Sequence, residues 1–440
     1  MSPSRITRRL FLTLPAIAPL AAFRSVLSHE HHFAYDHVIG TSLDLVVWTS
    51  DDATAERAES AVLAEIDRLA SILNTRDPES EISRLNESGG RVESLEMAEV
   101  LSRYDYWTER TAGILSIRPR GPRTPRNVDA LGKAYIIDRA ASAASAAAPG
   151  IDGVLLNIGG DIVVRGRSCD IAITDPEAPD DNGDPITRIR LENAAIATSG
   201  TYARGAHLFD ARTGQRAAWA SSATVVARDA VTANALATTL CLMGADEGLQ
   251  LVERTPGAAA LHVGRNGVVG RSSGFSQLER PLAARAPALA DWPAGYELAL
   301  TLTLTQAASV RRPYVAVWIE TPSGMLVRVL AFWANKPKYY VELSSFWSAG
   351  KGNQQLLHAT ARATRGPGRY QLAWDGLDEQ HRPAPRGTYR VVVETNQEHG
   401  AYAKQAGAIE CGTDPATLTL PATANFETVN IQYGPRTKPA

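Results

Sequence analysis

Three cysteines in 440 residues, Cys169, Cys241 and Cys411, are too few and too widely spaced for a disulfide framework, and with no CxxC pair or Cys/His run they indicate no zinc site. At most one bridge is available, and none is expected. An excess of one charge is also missing: 45 basic residues stand against 47 acidic ones, which leaves no global positive field for nucleic acid or an anionic membrane. No apolar run reaches the ~20 residues of a transmembrane helix. No period of about 20 to 50 residues recurs, which excludes a solenoid. What is present is 44% hydrophobic and 21% charged residues, a balance suited to packed cores rather than disorder. At roughly 100 to 200 residues per domain, the length predicts two or three domains, and two is the safer count where β-rich or mixed folds run long.

The N-terminus carries compartment information. Thr7-Arg8-Arg9-Leu10-Phe11-Leu12 is a twin-arginine pattern, and a short apolar run, Leu14 to Ala22, follows it. Residues 1–22 therefore read as a twin-arginine signal peptide of an exported, periplasmic protein. Cleavage near Ala22 removes three arginines and takes the formal charge from −2 to −5. His29, His31, His32 and His37 follow closely, and so near a cleaved end they are expected to be flexible rather than to hold a metal.

Between residues 38 and 274, strand-like and helix-like signals alternate, as in Leu43–Trp48 followed by Ala53–Leu73, which predicts an α+β domain. Residues 275–292, rich in Ala, Pro and Arg, read as a linker. From 293 to 434, strict alternation in Glu297–Leu304 and short β-rich runs at Val315–Ile319, Leu326–Phe332, Tyr389–Val393 and Val429–Tyr433 predict an all-β sandwich.

The first domain holds the informative segments. Leu155-Leu156-Asn157-Ile158-Gly159-Gly160-Asp161-Ile162 is a β-run that ends in two glycines, where backbone can approach a ligand closely. A glycine and hydroxyl cluster follows at Ala197-Thr198-Ser199-Gly200-Thr201-Tyr202, then His207 to Gly214. Neither fits a Walker A loop or a dinucleotide GxGxxG, so a P-loop or Rossmann site is not supported.

Taken in order, these blocks resemble the ApbE family of FAD:protein FMN transferases. The resemblance begins at Ile39-Gly40-Thr41 and passes through Ser80–Asn86, Gly132–Ala140, Asn157–Asp161, Ala197–Gly200 and His207–Gly214. It closes on Thr232–Leu240 with Met243-Gly244. It implies an α+β ApbE-like, T-fold-related flavin-transferase domain that binds FAD and Mg²⁺. A threonine or serine hydroxyl of a partner would attack the flavin-side phosphorus and release AMP. The resemblance assigns cofactor contacts to Ile39, Gly40, Thr41, Asn86, Lys133, Asp138, Asn157, Gly159, Gly160, Asp161, Thr198, Ser199 and Gly200. It assigns metal ligation to Asn234, Thr238 and a carbonyl near Gly132, and makes His207 the candidate for activating the incoming hydroxyl.

This chain departs from the family pattern at four positions: Asn234 where the family has aspartate, Ile39 for Met, Arg76 for Tyr and Ser116 for Asp. Each site residue also has a structural reading: Lys133 and Asp138 as an ion pair or helix cap, Asp161 as a turn residue, Asn234 and Thr238 as polar residues of a packed helix. The rival functions are a Mg-dependent FAD pyrophosphatase and a non-catalytic flavin-binding or delivery protein. No Asp-x-x-Ser/Thr-Gly-Ala-Thr acceptor pattern occurs in the chain, so the implied partner is a separate acceptor flavoprotein with an exposed threonine motif, membrane-anchored or free, and no nucleic acid is implied.

The region after Asp291 resembles a domain of unknown function often fused to ApbE-like domains, through Asp291–Gly295, Pro313–Glu320, Trp374-Asp375-Gly376 and Pro385–Tyr389. It implies an immunoglobulin-like sandwich. Trp318, Trp333, Trp347 and Trp374 read as core and rim residues, with a partner-docking face as the alternative.

Overall fold

A computed structural model describes residues 28–89, 91–121, 123–177, 183, 185–200, 208–216, 219–281, 292–305, 312–334, 337–350, 365, 367–380, 382–397 and 400–436. The expected signal peptide, His207 and residues 282–291 of the expected linker lie outside them.

The first domain opens with the hairpin β1 (His29–Val38) and β2 (Thr41–Thr49), followed by α1 (Asp52–Leu73), α2 (Glu81–Ser88), α3 (Leu95–Arg110) and α4 (Asp129–Ala147). Five strands come next: β3 (Gly153–Ile158), β4 (Asp161–Arg165), β5 (Cys169–Thr174), β6 (Pro185–Leu191) and β7 (Ala194–Gly200). After β8 (Ala220–Ala227) come α5 (Ala230–Leu242), α6 (Ala245–Glu253), β9 (Ala259–Gly264), β10 (Val269–Arg271), α7 (Phe275–Leu278) and β11 (Glu279–Arg280). An eight-stranded antiparallel sheet runs β1-β2-β3-β4-β7-β8-β9-β10, and a small sheet runs β11-β6-β5. The large sheet is the middle of three layers. One face packs α1, α3, α4 and α5 in the main core. The other packs the small sheet through Val164, Ile173, Ile189, Ile196 and Phe275.

Two expected boundaries move. The His-rich segment is ordered as β1, paired along β2 from His29↔Thr49 to Val38↔Thr41, because the apolar Phe33 and Tyr35 pack on the main core and anchor it. Residues 275–280 belong to the first domain rather than to a linker: Phe275 is fully buried and Glu279 pairs with Ile189.

The helices follow local chemistry. Asp51 caps α1 by accepting from the Thr54 N–H at 2.9 Å, a contact worth about 1 kcal/mol. From there Ala55, Ala58, Val62, Ile66, Leu69 and Leu73 bury one stripe at helical spacing. Helix α5 has no polar face: nearly all of its residues are buried between β7, β8 and α4. Any polar side chain on it must find its partner inside the protein.

The second domain is a sandwich of β12 (Tyr296–Leu304), β13 (Tyr314–Glu320), β14 (Leu326–Trp333), β15 (Gly368–Trp374), β16 (Gly387–Asn396), β17 (Tyr402–Cys411), β18 (Ala416–Leu420) and β19 (Val429–Pro435). Its sheets run β15-β12-β19-β18 and β14-β13-β16-β17. In β12 the alternating Leu298, Leu300, Leu302 and Leu304 face the core between them. β13 is buried on both faces, because a 3₁₀ turn (Pro337–Glu342) and α8 (Ser344–Ala349) cover its outer side. The fully buried Glu394 carboxylate docks that cover by accepting from the N–H groups of Ser345 (2.9 Å) and Phe346 (2.7 Å). Trp318, Trp333 and Trp374 are core residues, which removes them from any docking face.

Candidate functional site

Two tight turns build the site. Ile39 and Gly40 join β1 to β2 at φ +43° and +83°, and Gly159 and Gly160 join β3 to β4 at +61° and +94°. Positive φ at both central residues is what a two-residue type I′ hairpin requires. At Ile39 it is unusual, because a β-branched side chain in this region is strained by about 1–2 kcal/mol. The tips touch: a Cβ on Gly159 would lie 2.7 Å from Thr41 Oγ1. Only glycine permits that approach.

Beside the tips opens a cavity of about 650 Å³, within the usual range for cofactor sites. Ile136, Ile162, Ile196 and Leu208 give it apolar lining, and Ile171 to Thr174 of β5 close one side. Four elements bring polar groups together at one end of it. Lys133 projects from α4, Asp161 starts β4, Thr198 to Gly200 end β7, and Asn234 and Thr238 sit one turn apart on α5.

Lys133, Asp161 and Asn234 are linked to one another, and the hydroxyls pair separately beside them. Lys133 Nζ is 2.7 Å from Asp161 Oδ2, whose side chain is only 4% exposed. Asn234 Nδ2 donates to the same oxygen at 3.1 Å. That orientation leaves Asn234 Oδ1 buried with no donor. Ser199 Oγ and Thr238 Oγ1 are 3.3 Å apart, and Thr198 Oγ1 bonds Thr224 Oγ1 at 2.9 Å. An orphaned amide oxygen, a carboxylate and a threonine hydroxyl fit a hard cation such as Mg²⁺. One carboxylate, already paired with Lys133, makes that donor set weak in charge.

Of the residues expected at the site, Ile39, Gly40, Thr41, Lys133, Gly159, Gly160, Asp161, Thr198, Ser199, Gly200, Asn234 and Thr238 line the cavity. Four others do not, and each holds the frame. Asn86 pins the loop before α4 through both its amide atoms, each 2.9 Å from the Arg126 backbone. Asn157 Oδ1 accepts from the Gly160 N–H at 3.0 Å and locks the second turn. Gly132 lies inside α4, buried against Val128 and Leu73. Asp138 accepts from the Ala230 N–H at 2.8 Å and pairs with Arg165 at 3.2 Å, so it holds the start of α5. Burial, with the charge of Asp229 next, pushes its carboxyl up to about 7 against the opposing Ala230 N–H and Arg165. His207 lies outside the described residues; Leu208, next in the chain, lines the cavity.

Sequence reasoning missed the β5 wall and the placement of Arg76. Alternation in Ile171–Thr174 signals a strand but not which cavity it borders. Arg76 stands out in the sequence only as a departure at a position often aromatic. In the fold its guanidinium lies over Gly40, within 2.6 Å of where a Cβ would be. A planar cation there suits a ring face or a phosphate.

Comparison with known proteins agrees with this architecture. The ApbE family profile matches residues 39–122 and 117–262, and the profile described as predicted periplasmic protein (DUF2271) matches residues 296–428. The flavin transferase ApbE of Vibrio cholerae superposes with a TM-score of 0.50 at 20% identity, over 57% of this chain and 99% of that one. The ApbE protein of Thermotoga maritima gives 0.49 at 23% identity, over 58% and 100%. The flavinyl transferase ApbE of Pseudomonas stutzeri gives 0.49 at 20%, over 58% and 99%. No curated protein matches in sequence.

Proposed function

The chain belongs to the ApbE family, and from that premise we propose that it is an exported FAD:protein FMN transferase acting on a separate flavoprotein acceptor. The observation that carries the proposal is the joining of an apolar-lined cavity to the Lys133–Asp161–Asn234 network, with Thr238 one turn on from Asn234, beside two glycine-bearing turns. The apolar lining suits an isoalloxazine ring. The network and the Thr198–Gly200 backbone suit a pyrophosphate.

In this reading an acceptor threonine or serine oxygen attacks the phosphorus on the flavin side of FAD. The P–O bond to AMP breaks, AMP leaves with the electron pair, and FMN remains on the acceptor as a phosphoester. Such transfer depends mainly on positioning and on spreading charge. Lys133 supplies a fixed positive charge, oriented by Asp161. Thr198 and Ser199 offer hydroxyl donors. Asn234 Oδ1, Thr238 Oγ1 and Asp161 would hold Mg²⁺, which when bound neutralises phosphate charge. His207 is the proposed group for orienting the hydroxyl. We assign residues 1–22 to export by the twin-arginine route, and the sandwich of residues 293–434 to recruiting or orienting the acceptor; among the described residues no helix is long and apolar enough to cross a membrane.

One observation favours a second reading. Where the family has a carboxylate, Asn234 donates to Asp161, and a site of so little negative charge suits a flavin-binding or delivery protein. A single assay separates the two. The full chain is incubated with FAD, Mg²⁺ and a flavoprotein acceptor bearing an exposed threonine motif. Covalent flavin fluorescence on the acceptor with matching AMP release supports transfer. Tight FAD binding without either product supports delivery, AMP and free FMN without labelled acceptor identify a pyrophosphatase, and no FAD binding removes all three.

A further inference from the structure

At the start of β1 a group of side chains stands apart from the flavin cavity. His29 and His31 are two residues apart on the strand, so they share a face, and their rings lie 4.4 Å apart. Pairing with β2 sets His29 opposite Thr49, and the chain then turns directly into α1. Asp52, the first residue of α1, meets both rings: its Oδ1 is 3.5 Å from His31 Nδ1 and 3.9 Å from His29 Nε2. All three ligand atoms fall within 4.8 Å of one another. Asp51 does the helix capping, which leaves the Asp52 carboxylate to the two imidazoles.

A second observation points to a ligand. His31 Nε2 lies 3.2 Å from the Thr49 carbonyl oxygen, which can only accept, so Nε2 carries the proton. In the neutral ring Nδ1 is then a bare lone pair, aimed at a carboxylate oxygen. Something positive must therefore lie between the two, either a proton on Nδ1 or a bound metal ion, and a second imidazole at the same carboxylate oxygen favours the metal. A backbone carbonyl behind an imidazole is also the usual support of a metal-bound histidine, fixing its tautomer and orientation.

We propose that His29, His31 and Asp52 form a binding site for a borderline divalent transition cation, for which Zn²⁺ is the representative. Two imidazoles and one carboxylate suit Zn²⁺, Cu²⁺ or Ni²⁺ and not the all-oxygen preference of Mg²⁺. With bonds near 2.05 Å, a tetrahedral ion spaces its ligands about 3.3 Å apart, so small side-chain rotations close the observed gaps. Water completes the fourth position. The site lies at the opposite end of β1 from the Ile39–Gly40 turn, on the order of 25 Å away along the strand. It therefore clasps the first strand to the first helix and takes no part in flavin chemistry.

The test is calorimetric titration of the metal-stripped full chain with ZnCl₂, with Co²⁺ absorption as a readout of tetrahedral geometry. One equivalent should bind with a dissociation constant in the micromolar range or below, unaffected by millimolar Mg²⁺, and should raise the melting temperature. Asp52→Asn, at a highly exposed position that does not endanger folding, should weaken binding at least tenfold and abolish the thermal shift; His31→Gln should do the same. His32→Gln, altering the neighbour that pairs with Glu30, should change neither. Absence of saturable binding would mean that Asp52 and His31 form only a protonated ion pair, and would overturn the proposal. Equal losses in His32→Gln and Asp52→Asn would overturn it too, by showing adventitious capture by a histidine-rich strand.

Discussion

Replacing Asn234 by aspartate probes the network at its centre. The amide nitrogen donates to Asp161 Oδ2 at 3.1 Å, and both residues are buried, at 7% and 3% exposure. A second carboxylate in that place turns a hydrogen bond into a contact between like charges, with Lys133 alone to offset two. At an effective dielectric of about 20, unit charges at this distance repel by roughly 5 kcal/mol. Protonating one acid caps the cost near 4 kcal/mol at pH 7, at about 1.4 kcal/mol per pH unit above an ordinary carboxyl pKa. Without divalent ions, Asn234→Asp should therefore melt roughly 10 °C below wild type. Mg²⁺ placed between the two carboxylates would remove the repulsion, so millimolar Mg²⁺ should recover most of the loss while shifting wild type far less. Flavin transfer should then saturate at lower Mg²⁺ in the variant. Thermal melts with and without Mg²⁺, run beside an AMP-release assay, measure both effects. Equal melting of the two proteins without Mg²⁺, or a loss that Mg²⁺ fails to recover, would refute the reasoning.

Three further expectations follow from the geometry. Burial holds Asp138 at about 7, above its ordinary 3.8. The folded state thus keeps a proton that the unfolded chain releases between these values, so this group's contribution to stability is full below pH ~4 and declines as the pH rises to about 7. Asp138→Asn keeps an acceptor for the Ala230 N–H without the charge; its unfolding free energy from denaturant titrations should lose that decline and exceed wild type by up to ~4 kcal/mol at neutral pH, and an unchanged pH slope would count against the assignment. Gly159→Ala forces a methyl to 2.7 Å from Thr41 Oγ1 at φ +61°. It should cost about 1–3 kcal/mol of stability and weaken FAD binding at least tenfold by calorimetry, whereas wild-type affinity in the variant would mean that the tips do not shape the cavity. Replacing Arg8 and Arg9 together by lysine should leave full-length precursor in the cytoplasm; unchanged export on fractionation would dismiss the twin-arginine route.

Much of the frame was legible in sequence because it is local. The stripe from Ala55 to Leu73 and the alternation of Leu298 to Leu304 each encode an element and its buried face, and α1 and β12 follow them within a residue or two. The glycine pair at 159 and 160 marked a place of close backbone approach, and the structure puts a tight turn there beside the cavity. What escaped depends on partners remote in the chain. Residues 275–280 have a linker's composition and become structure only because β6 offers an edge and the small sheet a pocket for Phe275. Asp138 reads equally as ligand or cap until Ala230, far along the chain, arrives at its carboxylate. The cover over β13 was unreadable for the same reason: Glu394 looks like any strand glutamate until the start of α8 lands on it.

The burial of α5 on every side gives the first domain a built-in reporter. A helix sealed between a sheet and another helix has no low-energy opening of its own, so its amide protons exchange with solvent only when the whole domain unfolds. Asn234 and Thr238 are carried on that helix. Any molecule that engages them and not the unfolded chain will slow exchange along all of α5 by the factor 1 + [L]/Kd. The protection of amides around Leu236 and Leu240, which face no solvent, then measures occupancy of the cavity without a label or a turnover.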